Sequence, residues 1–364
     1  MDQRERAINF NAGPAALPLE VLQRAQEEFV NFRGNGMSIM EMSHRGAVYE
    51  EVHNEAKALL KELLSIPEGY DILFLQGGAS TQFAMVPMNL LKPGTVGAYV
   101  QTGSWSNKAI AEAKLFGETA VVSSSELEQY KRIPSLNASD VPANAAYVHI
   151  TSNETIEGTQ FKSFPDTGNV PLIADMSSDI LSRPLDVSKF GMIYAGAQKN
   201  LGPSGVTVVI AKEELLIDSP KTIPTMMRYS IHQKNNSLYN TPPSFSIYMV
   251  NQVLHWIKER GGLSAIEAAN TEKAQVLYDM IDSSNGFYVG VAEKDCRSHM
   301  NVTFRLADEE LEKQFTKEAT SEGFVGIKGH RSVGGLRASI YNAVPKENCE
   351  ALAQFMKQFQ QLHS

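Results

Sequence analysis

Asp71-Ile72-Leu73-Phe74-Leu75-Gln76-Gly77-Gly78-Ala79-Ser80-Thr81-Gln82 carries an apolar run straight into two glycines, then into small polar residues that open a second apolar stretch. That order predicts a buried strand, a tight turn and a helix. The same texture recurs at 96–100, 120–122, 146–150, 170–174, 192–195 and 206–211, with helix-like stretches between. These runs are mostly continuous rather than alternating, and several are β-branched, as in strands buried on both faces. The expectation is an α/β fold, with a large domain on a mainly parallel seven-stranded sheet covered by helices.

Outside this region the pattern changes. Val52, Ala56, Leu59, Leu60 and Leu63 recur at helical spacing before Pro67, which predicts a helix over 51–65. Val250, Val253, Leu254 and Ile257 mark one helix face, and Gly261-Gly262 closes it. Beyond it, Met300, Val302, Phe304 and Leu306 alternate with Asn301, Thr303 and Arg305. A period of two with polar alternates predicts a strand with one wet face. A final helix over 346–362 completes a smaller α+β domain. The expected division is 16–258 for the large domain, and 1–15 with 259–364 for the small one.

The chain has 364 residues, 43% of them apolar and 20% charged, which excludes a disordered chain. Its 33 basic and 41 acidic residues give a net charge of −8, which argues against a general nucleic-acid binder but leaves room for a local basic pocket. Two cysteines, Cys296 and Cys349, form no CxxC pair, so neither a disulfide framework nor a zinc ribbon is expected, and no metal site. The opening residues Met1-Asp2-Gln3-Arg4-Glu5-Arg6 are charged where a signal peptide is apolar. No stretch approaches the ~18–20 apolar residues of a membrane span. A cytoplasmic protein without membrane or nucleic-acid partners is expected.

Three pieces carry chemistry. The Gly77-Gly78 turn allows close backbone approach, and free N–H groups at the start of the following helix favour an anion such as a phosphate. Ser80 or Thr81 could instead cap that helix, leaving a plain strand–helix turn. The run lacks GxGxxG and GxxxxGK[ST], which disfavours a dinucleotide site or a P-loop. Next, the 192–195 strand delivers Lys199 into Gln198-Lys199-Asn200-Leu201-Gly202-Pro203-Ser204-Gly205. A lysine in an apolar site has a lowered pKa and condenses with carbonyls, although taken alone this one reads first as a surface loop residue. Finally, Asp175 ends an apolar strand, where an open α/β sheet places its ligand crevice. It too could be a simple cap. Anion cradle, strand-end aspartate and loop lysine together match pyridoxal 5′-phosphate, which offers an anion, a protonated pyridine nitrogen and an aldehyde.

Over nearly its whole length the chain resembles the phosphoserine aminotransferase family, class V pyridoxal-phosphate enzymes of fold type I. The resemblance rests on Asn9-Phe10-Asn11-Ala12-Gly13-Pro14, Glu41-Met42-Ser43-His44-Arg45, Gly77-Gly78-Ala79 and Thr102-Gly103-Ser104-Trp105. It continues through Ser152-Asn153-Glu154-Thr155-Ile156-Glu157-Gly158, Gln198-Lys199-Asn200, Tyr239-Asn240-Thr241-Pro242-Pro243 and Gly329-His330-Arg331-Ser332-Val333-Gly334-Gly335-Leu336-Arg337. It implies that Lys199 holds the cofactor as a Schiff base and that Asp175 pairs with the pyridinium nitrogen. Trp105 would stack on the ring and Thr155 would hydrogen-bond the cofactor. Gly78, Ala79, Ser80 and Gln198 would bind its phosphate, with Asn240 and Thr241 reaching across from a second subunit of a homodimer. On the substrate side, Arg337 would clamp the α-carboxylate, since guanidinium pairs bidentately with it. His44, Arg45, His330 and Arg331 would take the distal acidic group, a carboxylate on L-glutamate and a phosphate on 3-phosphohydroxypyruvate.

One departure stands out: some family members carry arginine where this chain has Ser80, so any cation there must come from elsewhere. The implied reaction is glutamate-dependent amination of 3-phosphohydroxypyruvate to O-phospho-L-serine, with a pyridoxal-phosphate enzyme of the alanine–glyoxylate aminotransferase type as the alternative. A desulfurase would need a cysteine in a mobile loop, a cofactor-sensing regulator a basic appendage, and a nicotinamide dehydrogenase the dinucleotide fingerprint. None of these is visible.

Overall fold

The computed structural model describes residues 6–363. The opening charges at 1–5, and that part of the expected small domain, lie outside them. Seven strands form the central sheet, in the spatial order Tyr70–Leu75, Thr207–Lys212, Met192–Gly196, Leu172–Asp175, Ala145–Thr151, Val96–Gln101 and Glu118–Ser124. All neighbours run parallel except Thr207–Lys212, which is antiparallel to both strands beside it. Alternate residues serve opposite faces. Ile72 and Phe74 join the apolar cluster under helices Ala47–Leu63 and Ser244–Glu259, while Leu73 and Leu75 join the one under helices Gly78–Leu90 and Ser104–Ala113. Two covered faces are the reason the runs read as continuously apolar.

The outermost strand, Glu118–Ser124, departs from that expectation. It pairs on one side only, and Val121 is 48% exposed. The helix expected over 51–65 forms at Ala47–Leu63, beginning directly after Gly46.

In sheet register Thr151 faces Asp175 and Asp175 faces Tyr194, so neighbouring strands end together with Asp175 between them. The turn carrying Lys199 leaves the next strand, Met192–Gly196, at the same edge. This alignment of carboxyl ends builds the crevice.

A third apolar cluster joins Phe10, Leu277, Tyr288, Phe304, Phe315, Leu336, Met356 and Phe359 around an antiparallel sheet of Val289–Gly290, Asn301–Arg305 and Leu336–Ser339. Helix Gly262–Asp282 serves both cores, with Leu263 and Ile266 in the large one and Ala274, Leu277 and Ile281 in the small one. The strand Asn301–Arg305 corrects the expectation of a wet face. Asn301 and Thr303 are buried. Asn301 Oδ1 accepts from Asn153 Nδ2 at 2.8 Å, and Thr303 Oγ1 donates to Glu157 O at 3.0 Å. Polar alternation here marks a face docked on polar partners of the large domain, a case that period alone cannot tell from solvent.

Among the described residues no helix is long and apolar enough to cross a membrane, and no group of three His, Cys, Asp or Glu side chains is placed to hold a metal ion.

Two buried histidines set the acid limit of this fold. Burial pulls His53 down to about 4 and His149 down to about 3. Both values lie below the ordinary 6.5, so the unfolded chain takes up protons first. Stability is whole above pH 6.5 and is lost as pH falls toward these folded values. Each histidine should cost about 2 kcal/mol of unfolding free energy between pH 7.5 and pH 5. Denaturant melts of wild type and His149→Gln at both pH values measure this, and the variant should lose about 2 kcal/mol less than wild type.

Candidate active site

The anion cradle forms where strand Tyr70–Leu75 turns into helix Gly78–Leu90. Gly77 adopts φ +91°, and a Cβ there would lie 1.9 Å from Thr81 Oγ1, so glycine is required. No side chain caps this helix. Thr81 Oγ1 turns back to donate to Gly77 O at 3.1 Å, and Ser80 is exposed in the first turn, so neither takes the capping role open to them in the sequence. The N–H groups of Gly78, Ala79 and Ser80 therefore lack a capping acceptor and carry the positive end of the helix dipole.

Lys199 lies in the turn after Met192–Gly196, part-buried, not on an open loop. The N-terminal segment covers its stem. A Cβ on Gly13 would sit 3.6 Å from Lys199 Cγ and 3.7 Å from Cε, and Ala15 N donates to Gln198 O at 2.9 Å. Burial pulls the amine down to about 8, with Arg337 acting the same way and Asp175 and Glu154 resisting. Asp175 is itself buried, and desolvation raises its pKa, while Ser177 and the Lys199 charge act against the rise. Ser177 holds this end of the sheet: its N–H donates to Asp175 Oδ1 at 2.9 Å, and its Oγ accepts from Gly196 N at 3.0 Å. Lys199 and Asp175 thus feel each other, yet no ion pair within 4.0 Å joins them among the described residues. Trp105 flanks the gap, its ring centroid 5.5 Å from Lys199 Nζ, and its Nε1 donates to Thr155 Oγ1 at 2.8 Å.

Cations gather on the other side. Arg337 Nη1 donates to Thr155 O at 2.9 Å. The His330 pKa is lowered first by burial, then by Arg337, Lys108 and Arg331, which puts three cations in the neighbourhood of the imidazole. His330 Nδ1 is 2.6 Å from Ser332 Oγ, while Arg331 is exposed. One chain thus brings together Lys199, Asp175, Gln198, Trp105, Thr155, Arg337 and His330, with Arg331 at the rim. No hydrogen bond or ion pair joins His44 or Arg45 to them among the described residues: Arg45 is exposed, and His44 is half-buried with its Nε2 buried and unpartnered. Asn240 and Thr241 form a turn beside the cradle, tied to it by Gln76 Nε2 donating to Thr241 O at 3.4 Å.

Sequence reasoning missed several residues of this site. Gly13 enters the sequence reading only within the opening motif, and its contact with the lysine stem has no local signature. Lys108, one helical turn after Trp105, places its Nζ 4.1 Å from the indole centroid. Glu154 and Glu157 are buried beside Thr155 and had a visible signal, two carboxylates in an otherwise uncharged stretch.

Comparison with known proteins agrees with this geometry. The model of the class-V aminotransferases matches residues 7–352. A curated phosphoserine aminotransferase from Niallia circulans is 68% identical over 98% of this chain and 98% of its own. The solved phosphoserine aminotransferase of Bacillus circulans subsp. alkalophilus superposes with a TM-score of 0.97 at 66% identity, covering 99% of this chain and 100% of that one. Another solved phosphoserine aminotransferase, studied for radiation damage of its Schiff base, gives 0.96 at 60% identity over 98% of this chain and 100% of that one. The chain belongs to the class-V aminotransferases, within the phosphoserine aminotransferase family.

Proposed function

We propose that the protein is a pyridoxal-phosphate-dependent aminotransferase of serine biosynthesis. It transfers the amino group of L-glutamate to 3-phosphohydroxypyruvate, giving 2-oxoglutarate and O-phospho-L-serine, in two half-reactions that use one site in turn. The observation that carries this reading is full-length identity of 68% to a phosphoserine aminotransferase.

The residues present fit the cofactor. An uncapped helix N-terminus suits its phosphate, with Gly78, Ala79 and Ser80 N–H groups and Gln198 as donors. Asp175 and Lys199 interact electrostatically without an ion pair, which suits groups held to opposite ends of an aromatic ring, and the Trp105 ring lies 5.5 Å from Lys199 Nζ. When bound, the cofactor supplies an electrophilic aldehyde and a cationic ring that accepts electrons. Asp175 holds positive charge at the ring nitrogen. Lys199, with its amine near pKa 8, is partly neutral at physiological pH; it takes the substrate's α-proton and later returns it. Arg337 orients the α-carboxylate: Nη1 is held by Thr155 O, while Nε is buried without a partner and is a donor left for a carboxylate. His330 and Arg331 receive the distal acidic group, for which charge and planar donors accept carboxylate and phosphate alike.

Assembly as a homodimer completes the site in this reading. His44 and Arg45 have no role within one chain, and Phe29, Val30, Met37 and Met40 are exposed apolar side chains on the segment just before them. A second copy covering that segment would bring His44 and Arg45 to its partner's distal-group site, and Asn240 and Thr241 to its partner's phosphate. The division into 16–258 and 1–15 plus 259–364 is supported by an apolar cluster around the small antiparallel sheet distinct from those on the two faces of the large one, with helix Gly262–Asp282 bridging them, and a cytoplasmic setting by the free state of Cys296 and Cys349.

Supplying glutamate with 3-phosphohydroxypyruvate, pyruvate or glyoxylate in separate assays tests the assignment. The phosphorylated acceptor should be used at least about a hundredfold more efficiently, because the cationic donors of the distal-group site are left unpaired by the others. A preference for glyoxylate would overturn the reading.

A further inference from the structure

The turn Glu154–Gly158 grips three parts of the site at once. Toward helix Ser104–Ala113 it presents two carboxylates. Glu154 Oε2 accepts from Trp105 N at 3.0 Å, and its Oε1 from Ser106 N at 2.9 Å and Thr102 Oγ1 at 3.3 Å. Glu157 Oε1 accepts from Ser104 N at 2.8 Å and Ser104 Oγ at 2.7 Å. Three successive N–H groups of the first turn, the one that bears Trp105, are thereby satisfied by acids at the positive end of the dipole. A Cβ on Gly103 would lie 2.6 Å from Glu157 Cδ and 2.8 Å from Glu154 Cδ, so both carboxyls lie side by side against that glycine. Burial and Glu157 push Glu154 up to about 8, so the pair keeps a proton at neutral pH and avoids two bare charges.

Toward the small domain the same turn presents two carbonyls. Thr303 and Arg337 are cross-strand partners. Thr303 Oγ1 donates to Glu157 O at 3.0 Å, and Arg337 Nη1 donates to Thr155 O at 2.9 Å. Between the two grips sits Thr155 Oγ1, which accepts from Trp105 Nε1 at 2.8 Å.

We propose that Glu154 and Glu157 are positioning residues of the reaction: with Thr155 between them they tie the Trp105 ring to the Arg337 guanidinium, so that a carboxylate bound at Arg337 tightens the seating of Trp105. The proposal rests on the reading of Arg337 as the carboxylate clamp. Neither glutamate touches the substrate; each acts through the turn. Linkage makes the effect reciprocal, because whatever loosens Trp105 also weakens the hold of Arg337 on its ligand.

The test uses the cofactor-loaded protein carrying Trp256→Phe, so that Trp105 is the one tryptophan left. Glutarate, a dicarboxylate that cannot react, is the probe. It should change Trp105 emission and compete with glutamate. Glu154→Gln and Thr155→Val should each blunt the emission change and raise KM for glutamate about five- to tenfold, with a smaller change in kcat. Thr155→Ser, which keeps the hydroxyl acceptor, should restore the response, and both threonine variants are conservative enough to fold. If glutarate competes in every variant and shifts Trp105 emission as in the parent, the coupling is overturned. If glutarate fails to bind the parent protein, the role of Arg337 falls and the coupling falls with it.

Discussion

Lys199→Ala is expected to lose turnover by at least about 10⁴-fold, the upper range for removal of a positioned acid–base group. The near-visible absorbance of lysine-linked cofactor should vanish in the same variant. A lowered pKa alone does not single this lysine out, because Lys162 and Lys273 are also pulled down to about 8 by burial. Geometry does. Lys273 Nζ is spent on Ile340 O at 3.1 Å and Tyr341 O at 2.8 Å, which makes it a structural clasp. Lys162 Nζ is engaged as well, donating to Gln160 Oε1 at 3.3 Å. Among the described residues no hydrogen bond occupies Lys199 Nζ, so its lone pair is available when the proton leaves. Loss of one amine removes both the covalent anchor and the proton carrier, and the two readouts should fall together. Added methylamine should recover part of the turnover of Lys199→Ala, since a small base can enter the vacated space. Retention of both turnover and absorbance in the variant would end the assignment.

The fold was legible because both faces of the sheet are covered. Leu73 and Ile72 lie on opposite faces yet are equally buried, so the run betrays its place without any alignment of homologues. The strand-end position of Asp175 and the turn position of Lys199 follow from that topology. What stayed illegible depends on contacts between distant segments. Gly13 is 186 positions from the lysine whose stem it covers, and nothing local in Gly13-Pro14 says so. Asn301 and Thr303 looked solvent-facing because a polar docking face and a wet face share one period. The helix at Gly78 was offered two plausible caps, Ser80 and Thr81, but both lie inside its first turn, where a side chain cannot reach back to cap. His44 and Arg45 were visible only as a motif, and no hydrogen bond or ion pair ties them to the site among the described residues.

Asp175→Asn is the second large effect expected, and it separates charge from shape. Asparagine keeps an oxygen for Ser177 N, so the 2.9 Å bond that closes the strand end can persist and the sheet should be undisturbed. The negative charge is lost. Turnover should drop about 10²–10³-fold, the scale seen when one preorganised electrostatic partner of a reaction is removed. A second consequence needs no cofactor. In the wild type the Asp175 charge favours the ammonium form of Lys199 and partly offsets burial, which sets the amine near 8. Removing that charge leaves burial and Arg337 opposed only by the smaller pull of Glu154 and Asp179, so the amine pKa must fall below its wild-type value. The rate at which an acylating reagent labels Lys199 in cofactor-free protein, followed against pH, should therefore show its midpoint near 8 in wild type and at lower pH in Asp175→Asn. Because labelling depends on the neutral amine alone, it reports the electrostatic link apart from catalysis. An unchanged midpoint would mean that Asp175 and Lys199 do not face one another, and the chemical logic of the site would fail with them.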